Sequence, residues 1–326
     1  MEVIREMSGL GRWPGPLSLA IGVFDGVHVG HQAVIEVAGK DAEISGGSAV
    51  VVTFEPHPVE VLAPGKAPRL LTNSTHKLRI LEERLGIRHA LLIPFDRDFA
   101  SFSGEDFVLK LLAGAEGAGI RKICVGRDWR FGRERSGDIE LLLEMGRAHG
   151  FSVDGLDTVS KDGVRVSSTR VREAIQMGDF SLAANLLGRP YSVLGEVVKG
   201  RQLGRTLGFP TANLSVRREQ LPPAGVYAVR AAGKGESWNG VANLGYRPTV
   251  EGGTGELRLE VHLFGLAEEI YGKDIEVEFV EKIREEEEFG GVEELKRRIA
   301  DDVSEAKRVL EERWNPGVQG WKKLQH

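Results

Sequence analysis

A chain of 326 residues holds about two domains of ordinary size, each long enough to bury its own core. Hydrophobic residues at 41% and charged residues at 28% exclude a disordered, collagen-like or membrane-spanning chain. With 43 basic against 48 acidic residues the net charge is −5, so there is no global cationic field to hold a nucleic-acid backbone.

Up to about residue 160, short apolar runs alternate with amphipathic stretches. The runs at 17–24, 48–54, 89–93 and 121–125 predict strands, and the stretches at 31–43, 76–85, 105–112 and 138–148 predict helices. Strands alternating with helices imply a parallel sheet. A further strand is expected within 150–159, a helix over 170–177 after the hydroxyls of Ser167, Ser168 and Thr169, and another over 180–187 that stops at Gly188. The lone Cys124 lies in one of the apolar runs, reads as a buried strand residue and cannot form an internal disulfide. Together with an N-terminus that lacks the apolar core of a signal peptide, this gives the expectation of a cytoplasmic protein.

After Pro190 the pattern changes. Residues 257–263 and 275–279 alternate apolar and polar, the period of strands with one buried and one wet face. Further strands are expected at 191–199, 225–231 and 238–244 between Gly- and Pro-containing turns, and closure into an antiparallel barrel would remove their edges. Leu295, Ile299, Val303, Ala306 and Leu310 recur at helical spacing and predict a terminal helix. The boundary between the halves is expected near 185–190. The run Glu285 to Glu288 reads as a solvated surface.

Two constellations carry chemistry. The first, Gly22 to His31, follows the first strand and opens the first helix, where free N–H groups and the helix dipole favour an anion. His28 and His31, three apart, can face one ligand, and Gly30 lets the backbone approach it. Two surface histidines or a structural metal pair are the alternatives. Arg165 to Arg172 adds hydroxyls and guanidinium groups at the start of another helix, which fits a triphosphate or an ordinary capped terminus. No Walker A loop, GxGxxG or G-x-S-x-G elbow occurs. The second constellation spaces Gly200, Gly204 and Gly208 four apart before Pro210, Thr211, Ala212 and Asn213. Glycines let backbone fold over phosphates, and Thr211 and Asn213, two apart on an extended segment, offer hard oxygens suited to Mg²⁺; a plain hairpin loop is the alternative. Glu260 sits on the polar face of its strand beside Arg258 and His262, where a solvated residue is equally natural.

The motifs in order resemble one family. Gly22 to His31 is similar to the GxFDGxHxGH signature of HxGH nucleotidyltransferases, and Val166 to Arg172 to their ISSTxxR element with Val for Ile. Thr53 to Pro58 and Val125 to Gly132 look like the FEPHP and VGxDxxFG segments of the prokaryotic bifunctional riboflavin kinase/FAD synthetases. Gly208 to Leu214 matches that family's GFPTANL letter for letter, and Arg247-Pro248-Thr249 also matches one of its segments. The stretch from Gly265 to Ile270 departs from the family's Asp-Phe-Asp type turn, and Tyr246 stands where a small residue is usual.

The resemblance implies a Rossmann-like nucleotidyltransferase domain over 1–186 and an antiparallel β-barrel riboflavin kinase domain with a C-terminal helix over 187–326. It implies phosphorylation of riboflavin to FMN, then adenylylation of FMN to FAD, with ATP as co-substrate and Mg²⁺ as metal. By carry-over, Glu260 would be the base, and Thr211 and Asn213 the metal ligands. His28, His31 and Arg172 would act in adenylyl transfer. Gly22, Phe24, Asp25, Gly30, Ser168, Thr169, Gly200, Gly204, Gly208 and Pro210 would bind nucleotide, and His57 and Asp128 would line the flavin nucleotide. The implied partners are riboflavin, FMN and ATP, with neither nucleic acid nor membrane.

Overall fold

The computed structural model describes residues 1–161, 163–200, 204, 207–216, 218–233, 235–246, 257–266 and 268–313. Arg247-Pro248-Thr249 and most of the side chains between Gly200 and Gly208 therefore lie outside the described residues. The chain divides into two compact units, one of 1–69 and 74–168, the other of 70–73 and 169–326.

The first unit is built on a parallel sheet. Its strands are β1 (Glu2–Ile4), β2 (Leu17–Ile21), β3 (Ser48–Glu55), β4 (His89–Pro94), β5 (Ile120–Gly126) and β6 (Ser152–Leu156), in the spatial order β1-β4-β3-β2-β5-β6, every pair parallel. Helices α1 (Val29–Ser45), α2 (Pro58–Leu62), α3 (Ser74–Leu85), α4 (Gly104–Gly114) and α5 (Ile139–His149) make or accompany the crossovers. A two-stranded ribbon, β7 (Ser160–Lys161) with β8 (Val164–Arg165), follows β6. The central strands are nearly continuous apolar runs because both faces of the sheet are covered. Leu17, Leu19 and Ile21 face one core with Phe107, Leu111 and Leu142, while Ala20, Val51 and Cys124 face the other with Val34, Ile35 and Leu81. From β2 the chain winds outward to β3 and β4 on one side and to β5 and β6 on the other. The order reverses beside β2, and in open α/β sheets ligands bind outside the carboxyl ends of strands at such a point. The predicted strand at 17–24 stops at Ile21 for a conformational reason: Phe24, Gly26 and Val27 have φ of 51, 81 and 43°, which no strand accommodates.

In the second unit, helices α6 (Ser168–Gln176), whose first residue belongs to the first unit, and α7 (Phe180–Leu187) precede a closed barrel. The barrel strands are β9 (Ser192–Val198), β10 (Ala212–Ser215), β11 (Gly225–Gly233), β12 (Glu236–Tyr246), β13 (Leu257–Leu263) and β14 (Asp274–Arg284), closing in the order β10-β13-β12-β11-β14-β9 with every pair antiparallel. Closure leaves no open edge. Leu259, Val261 and Leu263 point into the core, which puts Arg258, Glu260 and His262 on the opposite face. The terminal helix α8 (Val292–Glu312) lays Ala306, Val309 and Leu310 against Val226, Ala228 and Val241. Glu285 to Glu288 is exposed, as expected, although Glu285 pairs with Lys282 and Glu287 with Arg284 and Arg298.

Candidate active sites

In the first unit the loop from Gly22 to His28 leaves the carboxyl end of β2 at the reversal point and runs into α1. A Cβ at Gly22 would lie 2.9 Å from the Phe24 ring, so only glycine fits there. Phe24 and Val27 are both fully buried and both left-handed, a strained backbone that persists only where its surroundings over-determine it. Three carbonyls of the loop are held by side chains. Thr53 Oγ1 and Lys77 Nζ donate to the Val23 carbonyl at 3.0 and 2.8 Å, Ser168 Oγ to that of Asp25 at 3.0 Å, and Gln32 Nε2 to that of Val27 at 2.8 Å.

His28 is the N-cap of α1, its Nδ1 accepting from the His31 backbone N–H at 3.2 Å. An accepting Nδ1 places the proton of the neutral ring on Nε2. The His31 ring stacks on that of His28 at 3.5 Å between centroids and 15° between planes, and Phe24 meets His31 edge-on at 5.4 Å. A Cβ at Gly30 would press on the His28 ring at 3.2 Å, so any larger residue there would have to displace that ring slightly. The sequence-predicted His28, His31, Gly22, Phe24, Asp25, Gly30 and Ser168 thus come together around one helix N-terminus. Thr169 and Arg172 follow Ser168 on α6.

His57 caps α2, its Nδ1 accepting from the Val59 N–H at 3.2 Å. Asp128, just past β5, pairs with Arg165 on β8. A chain of aromatic rings runs along the edge of the first core: Trp129 stacks on Phe131 at 4.5 Å, Phe131 meets Phe107 at 5.8 Å, and Phe107 meets Phe54, which touches Phe95 at 5.9 Å. Phe54, Phe95 and Trp129 lie at or just beyond the carboxyl ends of β3, β4 and β5.

Lys77 is the residue that sequence reading missed. It is 5% exposed, and its Nζ donates to Thr53 Oγ1 at 3.2 Å besides the Val23 carbonyl. Burial pushes its ammonium down to about 8, against the opposing pull of the Asp25 and Glu55 carboxylates. The available signal was its position on the inward stripe of α3 with Ile80 and Leu81.

In the barrel, Gly200 and Gly204 pack against the strand β10 and the residues just before it. A Cβ at Gly200 would overlap the Asn213 amide, and one at Gly204 would overlap the Phe209 carbonyl and lie 3.2 Å from Thr211 Oγ1. Gly208 is left-handed, with φ of 88°. The Phe209 N–H donates to the Gly204 carbonyl at 2.8 Å, and His262 Nδ1 lies 2.8 Å from the Pro210 carbonyl, an acceptor, so that nitrogen carries the proton. Thr211 and Asn213 are half-buried and alternate with buried Ala212 and Leu214, which puts both on one face. In register, Glu260 stands between Asn213 of β10 and Asn243 of β12. Burial raises the Glu260 carboxyl above its ordinary value, partly offset by Arg258. Among the described residues no three His, Cys, Asp or Glu side chains converge as a metal site.

Two family models match this chain, FAD synthetase over residues 13–170 and riboflavin kinase over residues 187–310. The bifunctional riboflavin kinase/FMN adenylyltransferase of Escherichia coli K12 is 42% identical over 312 residues, covering 95% of this chain and 98% of its own length. The chain belongs to the bifunctional riboflavin kinase/FMN adenylyltransferase family. It is a transferase with both activities, covering both steps of FAD synthesis. The member from Bacillus subtilis 168 is 39% identical over 297 residues, covering 90% of this chain and 92% of its own. A crystal structure from Streptococcus pneumoniae, described as that of a macrolide-efflux protein, is 29% identical with a TM-score of 0.78, covering 96% of this chain and 99% of that one. Among the described residues of this chain no helix is long and apolar enough to cross a membrane.

Proposed function

We propose that the two transfers are carried by the two constellations and that the chain divides chemically into 1–186 and 187–326. The family matches at 13–170 and 187–310 support that division, although α7 and most of α6 group with the barrel by packing.

In the barrel, Glu260 takes the proton from the 5′-hydroxyl of riboflavin while the oxygen attacks the γ-phosphorus of ATP and ADP leaves. Its raised pKa supports the role, because a carboxylate tuned upward is the better base near neutrality. Gly200, Gly204, Gly208 and Pro210 supply the close-approaching backbone over the phosphates. Thr211 and Asn213 would hold Mg²⁺, a hard cation that needs few protein ligands and, when bound, offsets phosphate charge. The tight packing of Gly200 and Gly204 on those two side chains fits such a cradle.

In the parallel-sheet domain an FMN phosphate oxygen attacks the α-phosphorus of ATP and pyrophosphate leaves, so no enzyme nucleophile is needed. His28, through its Nε2–H, and His31 stabilise charge growing on the α-phosphoryl oxygens. Gly22, Phe24, Asp25 and Gly30 shape the cradle, Ser168 fixes the Asp25 carbonyl, and Thr169 and Arg172 grip the triphosphate. The flavin ring lies along the wall of Phe54, Phe95 and Trp129, with His57 and Asp128 flanking it. Riboflavin, FMN and ATP are the partners, and neither nucleic acid nor membrane is one. We place the protein in the cytoplasm, a reading supported by the single buried Cys124, whose thiol burial pushes up to about 12.

One observation supports this reading most: each constellation sets glycine-lined backbone beside titratable groups of the kind that its transfer needs, His28 and His31 in one and Glu260 in the other. The test is a time-resolved chromatographic assay with riboflavin, ATP and Mg²⁺. Wild type makes FMN and then FAD. His28→Ala stalls at FMN, and Glu260→Ala leaves riboflavin unused yet converts supplied FMN. FAD formation by His28→Ala, or riboflavin consumption by Glu260→Ala, at wild-type rates would overturn the assignment.

A further inference from the structure

The loop between β2 and α1 is bent into a conformation that its sequence resists, and something has to hold it. Two of its non-glycine residues, Phe24 and Val27, are left-handed. The carbonyls of Val23, Asp25 and Val27 are each held by a side chain from elsewhere, and the only charged donor among these is Lys77. Thr53 already bonds the Val23 carbonyl at 3.0 Å, so hydrogen-bond satisfaction alone does not require a lysine beneath it. Burying an ammonium is costly, and its retention calls for a function that an apolar side chain would not serve.

The charges around Lys77 indicate that function. The carboxylates of Asp25, in the loop, and Glu55, at the end of β3, both act on it, and Glu55 is also engaged by Arg5 at 2.8 Å. Asp25 is 4% exposed and belongs to the loop that must accept a polyphosphate. A buried carboxylate beside that site repels the phosphates unless a cation offsets it. Lys77 lies behind the loop and supplies that offset without occupying the ligand's space.

We propose that Lys77 is a positioning residue for adenylyl transfer: its buried ammonium holds the Val23 carbonyl and neutralises the field of Asp25, so that the loop presents His28 and its helix N-terminus to the phosphates. This rests on the assignment of adenylyl transfer to the His28 loop. The role requires the charged form, and with the ammonium lowered to about 8, FAD formation from supplied FMN falls as pH rises through 8. Riboflavin phosphorylation by the same chain does not share that limb.

The experiment compares wild type, Lys77→Met, Lys77→Arg and His28→Ala across pH 6.5 to 9.5, measuring riboflavin phosphorylation and FMN adenylylation separately. Wild type loses adenylylation about tenfold per pH unit above about 8. Lys77→Met lowers the adenylylation kcat at least tenfold at pH 7 with the KM for FMN within threefold, removes the limb and leaves phosphorylation unchanged. Lys77→Arg, whose charge persists, restores most of the rate and removes the limb. If Lys77→Met unfolds the first domain, the wild-type limb and its disappearance in Lys77→Arg decide the matter. An adenylylation limb that Lys77→Arg retains, or Lys77→Met within threefold of wild type, overturns the inference. His28→Ala separates the two assignments: if it makes FAD normally, the loop reading fails, whereas an inactive His28→Ala beside a normal Lys77→Met removes only the role of Lys77.

Discussion

Glu260 and its strand neighbours show how position changes the meaning of a side chain. Arg258, Glu260 and His262 lie on the same face of β13, yet Glu260 alone stands in register between two asparagines and has its carboxyl raised by burial. An acid whose pKa is raised keeps its proton to higher pH, so the basic form that phosphorylation needs is lost earlier on acidification. The riboflavin phosphorylation rate should therefore fall on the acid side with a midpoint above the ordinary glutamate value of about 4.3, and Glu260→Gln should lack that limb along with at least a hundredfold of the rate. A pH series of initial rates at saturating ATP checks this. His28 and His31 stood out as candidates from a strand-to-helix turn, whereas Thr211, Asn213 and Glu260, for which a hairpin loop or a solvated strand face is as natural, entered as candidates through the family resemblance. Lys77 was not legible as a functional residue, because a lysine on a helix ordinarily reads as solvated and only its alignment with Ile80 and Leu81 marked it otherwise. The bond from Ser168 to the Asp25 carbonyl joins residues 143 apart, a distance that no local pattern encodes.

Periodicity recovered the elements long enough to show a period. Strands over 48–54 and 257–263 and helices over 76–85, 105–112 and 180–187 match the structure to within two residues at each end. It missed β1, β7, β8, β10 and α2, which are two to five residues long and too short to show a period. It overran β2 because apolar Val23 and Phe24 extend the run while their backbone turns away, a conformational switch that hydrophobicity does not report. It also placed α8 without revealing how the helix is fastened. Arg284, at the end of β14, donates through Nε and Nη2 to the two carboxylate oxygens of Asp302 at 2.8 and 2.7 Å, with both side chains largely buried. Removing Asp302 leaves the largely buried Arg284 with only the longer ion pair to Glu287 and the Glu285 carbonyl, so Asp302→Ala should cost the barrel about 2 kcal/mol. With the full chain equilibrated in urea, the midpoint for loss of riboflavin phosphorylation should move to lower urea while that for FMN adenylylation stays in place. Coincident shifts of both midpoints would mean that α8 stabilises more than its own barrel.

At the scale of the molecule, each of the two compact units has its own core. Nothing in the chemistry of either transfer calls for a residue of the other site, since each brings its own donors to its own ATP. The shared species is FMN, released by one reaction and consumed by the other, and it is small enough to diffuse. A chain disabled at one site should therefore cooperate with a chain disabled at the other. His28→Ala should convert riboflavin to FMN and no further, Glu260→Ala should convert only FMN, and an equimolar mixture should make FAD from riboflavin after a lag. During that lag free FMN accumulates to about the KM of the second step. The same assay read against time checks both the yield and the lag. A mixture that builds up FMN while making no FAD would mean that Glu260→Ala cannot use free FMN, and the two units would then be independent in folding but not in catalysis.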